Sequence, residues 1–320
     1  MMGKLGRNKL SSGGVDPYIA AVNCWPLLDH AERTSVPFVT FNRIDASDRD
    51  FGSGIVGTLL VVRFIGRNMA SDVRISAVEK TVDVVRTLDA LDGATATQVA
   101  EELDVPISTA HDYLQSLETV GMVTRINQMY QPSLRFLKYG EAQKRRIDEF
   151  VKGEEVMQDL AAKTDEHISL IVEERGRCVL VHVEEGENSV SFRSYPGIEM
   201  YMHATAPGKA MLAAMRDEEV AAVLDRYGLP QMTPNTITDR ETLLTEIEEI
   251  RETGVATDTS ELIEDLYCVG APIHNRQSDR ISALSICIPT ARAKEESYRQ
   301  EIQNAVMEFA NIIQVNVNYS

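Results

Sequence analysis

The spacing of apolar positions between residues 76 and 132 predicts three helices followed by a β-hairpin. A capping box at 76–79 should begin the first helix, whose apolar stripe should face the core: Val78, Val82, Val85 and Leu88. A second capping box at 95–98 should begin a short helix. That helix should end before Pro106, because proline cannot continue a helix but suits the first turn of the next one.

The third predicted helix, over 108–118, has two unlike faces and should end at Gly121, which can adopt a left-handed conformation. Three side chains recur at helical spacing and should pack inward: Ala110, Leu114 and Leu117. Four others are short or planar hydrogen-bonding groups that should point outward and suit base edges and phosphates: Ser108, Thr109, His111 and Gln115.

Two short alternating runs, 122–126 and 129–131, flank a polar tip and predict a hairpin. A helix-turn-helix followed by such a hairpin is a winged helix, which places one helix in a groove of DNA. Arg125 in the hairpin completes the set of expected DNA contacts. The alternative is that the two helices are a helical hairpin within some other fold. The predicted β-hairpin makes this alternative less favoured.

The second half of the chain mixes strands and helices. A charged connecting helix is expected over 136–164. Strands are expected over 167–173, 178–184, 190–195, 268–274 and 281–288, and helices over 217–227, 240–254 and 294–315. Such an order is typical of an antiparallel sheet with helices packed on it, so the fold class is α+β.

The charge of the chain bears on DNA binding. The 320 residues include 32 basic and 49 acidic residues, a net charge of −17, and residues 71–135 alone carry −5. At low salt this charge opposes phosphate binding. Either the winged helix does not bind DNA, or the protein works at molar salt, where the Debye length falls to about 3 Å. Because the acidic excess extends along the chain and only nine basic residues are lysine, we favour a halophilic cytoplasm.

The first 68 residues differ from the rest, with eight basic and six acidic residues and no sustained periodicity. They are either a basic arm that helps to hold DNA or an untranslated stretch before a start at Met69, and we favour the second. The expected division is therefore an extension over 1–70, a winged helix over 71–135, a linker helix over 136–164 and a second domain over 165–320.

Several kinds of site find no support in the sequence. The four cysteines are far apart and have no metal-ligand spacing, so a reducing cytoplasm is expected. The longest apolar run, 55–65, contains Arg63 and is too short for a membrane span. No nucleophile–base pair or phosphate loop stands at a recognisable spacing, so we expect no catalytic residues, no metal and no cofactor.

From about residue 75 to the end, the chain resembles the IclR family of transcriptional regulators. In the first domain the resemblance rests on 100–106, on 108–109 and on 114–118 followed by Gly121. In the second domain it rests on the motifs at 203–210, 254–261, 268–273 and 283–286. Two matching domains in the right order make this resemblance specific.

The resemblance implies a winged-helix domain joined by a linker helix to a GAF-like effector-binding domain, in a homodimer or homotetramer. Family members sense small organic acids, aromatic acids or sugar-derived metabolites. Carried onto this chain, the family's effector contacts fall on Ala206, Pro207, Asp258, Cys268, Ser285 and Cys287.

The chemistry of these residues adds detail. Gly208 should let the backbone approach a ligand, and a helix from Lys209 should present N–H groups to an anion, although Lys209 is equally well a solvated helix residue. Asp258 should accept a ligand hydroxyl. For Cys268 and Cys287, which lie on apolar strands, inert core packing is favoured over redox sensing as their role. His203 favours a core or loop-capping role over ligand binding.

The sequence thus predicts a regulator that binds a double-stranded DNA operator and responds to a small-molecule effector, without enzyme activity. One alternative is a sensor that acts through protein contacts and has a degenerate helix-turn-helix. A second, less supported alternative is an enzyme built on the effector-binding domain.

Overall fold

The computed structural model describes residues 73–190, 192 and 194–319. The expectations for the extension over 1–70, including a start at Met69, lie outside these residues. Helices and two antiparallel sheets make up the described chain, so the predicted α+β class is confirmed.

The first part of the described chain is the predicted winged helix. Its three helices and two strands are α1 (Ser76–Ala90), α2 (Ala96–Leu103), α3 (Ile107–Thr119), β1 (Val123–Ile126) and β2 (Met129–Pro132). The strands pair antiparallel, and a single bridge joins Ala94 to Tyr130. The hairpin is therefore attached to the segment between α1 and α2.

The helix ends follow the sequence signals in two of three cases. The box at 95–98 forms as predicted, since Thr95 and Gln98 exchange backbone-to-side-chain bonds of 2.9 and 3.3 Å. Gly121 has a φ of 76°, as its place after α3 requires. The capping box expected at 76–79 is wrong, because the N-cap residue of α1 is Ile75, whose apolar side chain makes no capping hydrogen bond.

The predicted apolar stripe of α1 is only half correct. Leu88 is fully buried, but Val78 and Val82 are 55% and 42% exposed. Instead, Val84 and Thr87 face the core with the inward side chains of α3, Ala110, Leu114 and Leu117. Only the C-terminal half of α1 is covered, which leaves the apolar side chains of its first two turns at the surface.

The single linker helix expected over 136–164 is wrong. The segment contains three helices, α4 (Arg135–Lys144), α5 (Asp148–Val151) and α6 (Glu154–Thr164). Ile147 is extended and separates α4 from α5. Gly153 separates α5 from α6, and a Cβ atom there would lie 2.4 Å from the carbonyl oxygen of Glu149. The close turn at this point therefore requires glycine.

The second part of the chain is built on a six-stranded antiparallel sheet of order β5-β4-β3-β8-β7-β6. Its strands are β3 (His167–Glu174), β4 (Arg177–Glu185), β5 (Glu199–Tyr201), β6 (Ala256–Thr259), β7 (Leu266–Asn275) and β8 (Arg280–Pro289). The strand expected over 190–195 is wrong, since the described residues of that stretch lie outside the strands and the third strand begins at Glu199. Sequence periodicity also missed β6.

Helices cover both faces of this sheet. Because successive residues of a strand face opposite sides, each strand contributes side chains to a core on either face. On β3, Ile168 and Leu170 join the core beneath α6 and α10, whereas Ile171 joins the core on the other face. The remaining helices are α7 (Ala206–Ala214), α8 (Asp217–Tyr227), α9 (Arg240–Thr253) and α10 (Glu296–Tyr319). One end of the sheet, beside the start of α7, is left for a cavity.

Candidate ligand cavity and nucleic-acid interface

The floor of the cavity is a row of four residues that are direct neighbours across four strands. His167 on β3 lies opposite Cys287 on β8, Cys287 lies opposite Cys268 on β7, and Cys268 lies opposite Asp258 on β6. All four residues line the cavity. A second row on the same face adds Ser169 opposite Ser285. The sheet thus gathers polar side chains from strands that are distant in sequence.

The rest of the lining is mostly apolar. The cavity has a volume of about 90 Å³ and is lined by Ile171, Leu180, Phe192, Ile198, Met200 and Leu262, among others. A single buried water needs only about 10–15 Å³. An apolar cavity with a few convergent polar groups is the usual form of a small-molecule site.

The N-terminus of α7 forms one wall, through Thr205 and Pro207. It lies directly on β7 at Gly270, where a Cβ atom would be 2.7–2.9 Å from backbone atoms of Ala206 and Pro207. Only glycine permits this approach. Ala206 itself is fully buried and packs with the two strand cysteines beside the cavity.

Asp258 is the ionisable group at one end of the floor. Its side chain accepts a bond of 2.6 Å from the backbone N–H of Glu261, and the residue is only 5% exposed. Burial raises the pKa of Asp258 to about 7, and the nearby charge of Glu261 adds to the effect. Near neutral pH this carboxyl group can therefore either donate or accept a hydrogen bond.

Lys209 is not a solvated residue, so that expectation for it is wrong. Its side chain is fully buried, and Nζ donates to the carboxylates of Glu246 at 2.6 Å and Glu261 at 2.7 Å. Glu261 therefore pairs with a basic neighbour, while its burial raises its pKa. The lysine compensates the Glu261 carboxylate, which would otherwise be buried without a counter-charge, and also pairs with the half-buried Glu246.

The expectation that Gly208 lets a ligand approach is also not supported by its surroundings. A Cβ atom at Gly208 would lie 2.3 Å from the carbonyl oxygen of Met202, so glycine is needed for packing against the preceding helical turn. The N–H groups of Gly208 and Lys209 bond to the side chain and the carbonyl oxygen of Thr205. These groups are thus already engaged within the helix N-terminus.

Sequence reasoning missed two polar residues of the floor, His167 and Ser169, although it placed them on a strand. In a strand, residues two apart share a face. His167, Ser169 and Ile171 alternate with the apolar Ile168 and Leu170, and this pattern already indicates a second buried face with polar groups.

The cysteines differ from the expectation of inert thiols. Cys268 and Cys287 form a disulfide in the middle of the cavity floor. Cys178 is a free thiol in the core beneath α7, and burial raises its pKa to about 12. His203 matches its expected loop-capping role, because its Nε2 donates to the carbonyl oxygen of Pro230 at 3.1 Å and the residue is 2% exposed.

The residues expected to read DNA lie on the surface of the winged helix. On α3, the side chains of Ser108, His111 and Gln115 are exposed and that of Thr109 is half-buried. Arg125 is exposed on β1, contacts the Gln128 side chain and lies over the Tyr130 ring at 5.3 Å. The outward face of α3 and the hairpin therefore present hydrogen-bond donors and acceptors together.

Two further searches concern the described residues alone. No helix in this part of the chain is long and apolar enough to cross a membrane. Over the same residues, histidine, cysteine and carboxylate side chains form no group that is suited to hold a metal ion.

Comparison with known families decides the identity of the chain. Residues 145–315 match the C-terminal domain of the bacterial transcriptional regulator IclR, and residues 77–126 match the IclR helix-turn-helix domain. The chain belongs to the IclR family. It therefore combines a DNA-binding helix-turn-helix domain with an effector-binding domain, as the sequence predicted.

Curated relatives agree with this assignment. A Halobacterium salinarum protein, "Probable HTH-type transcriptional regulator ArcR", is 28% identical over 76% of this chain and 94% of its own length. The Escherichia coli K12 repressor AllR is 26% identical over 69% of this chain and 83% of its own length. These relatives are transcriptional regulators, and the first comes from a haloarchaeon.

Solved structures share the fold. The Thermotoga maritima IclR structure is 28% identical, with a TM-score of 0.61 over 76% of this chain and 98% of its own. An IclR homologue from Microbacterium hydrocarbonoxydans, in complex with 4-hydroxybenzoate, is 22% identical, with a TM-score of 0.64 over 76% of this chain and 99% of its own.

Proposed function

We propose that this IclR-family regulator binds a double-stranded DNA operator through α3 and the hairpin, and that an effector in the cavity alters this binding. The observation that carries the proposal is the cavity itself, a buried apolar space with a few convergent polar groups in the effector-binding domain. The protein acts in the cytoplasm as a regulator without enzyme activity. The domain division remains 71–135, 136–164 and 165–320.

In this proposal the polar face of α3 reads the operator. Ser108, Thr109, His111 and Gln115 contact base edges and phosphates, and Arg125 contacts a phosphate from the hairpin. The acidic surface of the domain requires high salt for this contact, since screening weakens its repulsion from phosphate. The haloarchaeal relative supports such a setting.

The effector contacts that we propose are Pro207, Asp258, Cys268, Ser285 and Cys287. Ala206 and Gly208 lie at the N-terminus of α7 and support this wall of the cavity. All of the first five line the cavity. No lysine or arginine stands among the described lining residues. A small hydroxylated metabolite, derived from a sugar or an organic acid, fits this lining with a hydroxyl group at Asp258. Thermal-shift screening of such compounds identifies it, because a bound ligand stabilises the folded state.

The linker offers a physical route between the two functions. At one end of α4, the Arg135 side chain donates to the carbonyl oxygen of Val120 at 3.0 Å, just after α3. At the other end, Lys144 Nζ lies 2.8 Å from His182 Nδ1 on β4. A ligand that favours one placement of β4 can therefore change the placement of α3, provided that it binds the two arrangements unequally.

We further propose that the regulator is a homodimer or homotetramer whose winged helices read two half-sites. The apolar side chains at the start of α1 and on α4 support this, because Ile75, Val78, Leu134 and Leu137 are 55–82% exposed. A second copy of the chain would cover them.

The experiment is a DNA-binding titration on the region upstream of the protein's own gene, at molar KCl. We expect His111→Ala and Gln115→Ala each to weaken operator binding by about 5- to 100-fold, the usual worth of a base contact. Ser116→Ala is the matched control, since the Ser116 hydroxyl bonds to the Asp112 carbonyl within the same helix. Equal binding by all three variants contradicts DNA reading by α3.

A specific observation supports one alternative function. The net charge of −5 over 71–135 and the exposed Asp112 on α3 favour a sensor that acts through protein contacts. In that case the wild-type chain protects no upstream DNA at any KCl concentration.

A further inference from the structure

His167 occupies the end of the cavity floor opposite Asp258. It is the first residue of β3 and lies three strands away from β6 along one row of neighbours. At about 4.8 Å per strand, the Cα atoms of the two residues are on the order of 14 Å apart. The disulfide lies between them, so the floor has a polar group at each end and no charged group in the middle.

The imidazole of His167 is buried, and its Nδ1 has no hydrogen-bond partner among the described residues. The residue is 1% exposed, and the Glu185 carboxylate lies 3.7 Å from Nδ1, beyond hydrogen-bond distance. Nε2 lies 3.5 Å from the Ser194 hydroxyl, and the Phe192 ring packs on the imidazole with the ring centroids 4.4 Å apart. Buried polar groups are nearly always paired, so this one requires an explanation.

The ring is also uncharged at neutral pH, since burial lowers the pKa of His167 to about 4. A neutral imidazole has one N–H donor and one acceptor nitrogen. It can therefore bond a hydroxyl group in either direction, as donor or as acceptor. An enclosed hydroxyl group is the simplest group that satisfies it.

We infer that His167 determines effector specificity by bonding the end of the ligand remote from Asp258, so that the cavity selects small molecules with a hydroxyl group at each end of an apolar body. This inference rests on the proposed function, because it takes the cavity as the effector site. It adds a residue that the family resemblance does not assign and a length requirement that Asp258 alone does not impose.

Three phenyl compounds test the inference. Tyrosol carries a phenolic and an alcoholic hydroxyl group at its two ends, 4-ethylphenol lacks the alcohol, and 2-phenylethanol lacks the phenol. Their dissociation constants are measured by calorimetry with the full chain at one fixed KCl concentration. The variants are His167→Phe, His167→Asn and Asp258→Asn, and thermal unfolding without ligand shows that each variant is folded.

We expect His167→Phe to weaken tyrosol binding by about fivefold or more, the worth of one buried hydrogen bond. Binding of 4-ethylphenol should stay within about twofold, because that compound makes no bond to the imidazole. His167→Asn should restore part of the tyrosol affinity, since the amide also donates and accepts. Asp258→Asn should weaken both phenols, because a neutral amide oxygen accepts a weaker hydrogen bond from the phenol than an ionised carboxylate does.

Other results overturn the inference in distinguishable ways. Equal losses for tyrosol and 4-ethylphenol mean that His167 only shapes the cavity. No loss in His167→Phe together with a loss in Asp258→Asn means that His167 does not touch the ligand, while the proposed effector site stands. If wild-type protein binds none of the three compounds at millimolar concentration, the inferred ligand class is wrong, whereas the cavity assignment fails only if the thermal-shift screen also finds no ligand.

Discussion

Substitution of Asp258 by asparagine should stabilise the protein while it impairs the cavity. Asp258 is buried beside the negative charge of Glu261, and its pKa is raised to about 7. Below the unfolded value of 3.8 it is protonated in both the folded and the unfolded state and costs nothing. As the pH rises from 3.8 towards 7, the unfolded chain ionises Asp258 while the folded state keeps it protonated, so stability is lost over this window. Above about pH 7 the folded state bears the full and constant cost of the buried charge.

The magnitude follows from the shift. The pKa rises from 3.8 to about 7, and each pKa unit corresponds to about 1.4 kcal/mol, so the ionised carboxylate costs about 4 kcal/mol above pH 7. Asparagine removes this cost but loses one of the bonds that Asp258 accepts from the backbone of Glu261 and Leu262, worth about 1 kcal/mol. We expect a net stabilisation of about 3 kcal/mol at pH 8 that falls to less than about 1 kcal/mol at pH 5.

The assay is chemical denaturation of wild type and Asp258→Asn at pH 5, 6, 7 and 8 in one salt concentration. The matched control is Asp239→Asn on α9, because Asp239 caps that helix through the Thr242 N–H and its pKa is lowered by this bond. The Asp239→Asn substitution should not stabilise the protein at any of the four pH values. A destabilised Asp258→Asn variant at pH 8, or a difference that does not shrink towards pH 5, would refute the reasoning.

Three further predictions concern the surroundings of the cavity. Lys209→Met should lower the free energy of unfolding by about 3–5 kcal/mol, because it strands buried carboxylates; a loss below about 1 kcal/mol in denaturation contradicts the ion network. Gly270→Ala should cost about 1–3 kcal/mol through collision with the α7 N-terminus, whereas Gly140→Ala, with open space around it on α4, should stabilise by up to about 1 kcal/mol. Cys178 should not react with a thiol reagent at pH 8 until the protein unfolds, since its pKa is about 12; reaction in the native state shows that the core beneath α7 opens.

The winged helix was predictable because its signals are local. The capping box at Thr95, the proline before α3 and the left-handed Gly121 each act within a few residues, and all three are where the sequence placed them. The predicted apolar stripe of α1 was half wrong because burial depends on contacts that are not local. A stripe shows which side of a helix is apolar, but only packing decides that Val78 and Val82 remain uncovered.

The cavity was less predictable because its residues meet only through strand pairing. Asp258 and His167 are 91 positions apart in the chain and share a row through Cys268 and Cys287. The resemblance to the family supplied Asp258 and the two cysteines of that row. The alternation around His167 indicated a buried polar face, but no local spacing placed that face in the same row. Lys209 was misjudged for a similar reason, since its counter-charges come from α9 and from the segment after β6.

The most direct test of the account is the affinity of the full chain for its upstream DNA with the cavity empty and with the cavity saturated. The ligand is the strongest stabiliser from the thermal-shift screen, and fluorescence anisotropy at molar KCl gives the dissociation constants. The account predicts a change of at least about fivefold, the lower end of typical coupling between sites. The same DNA affinity in both states, at a ligand concentration that calorimetry shows to be saturating, contradicts it.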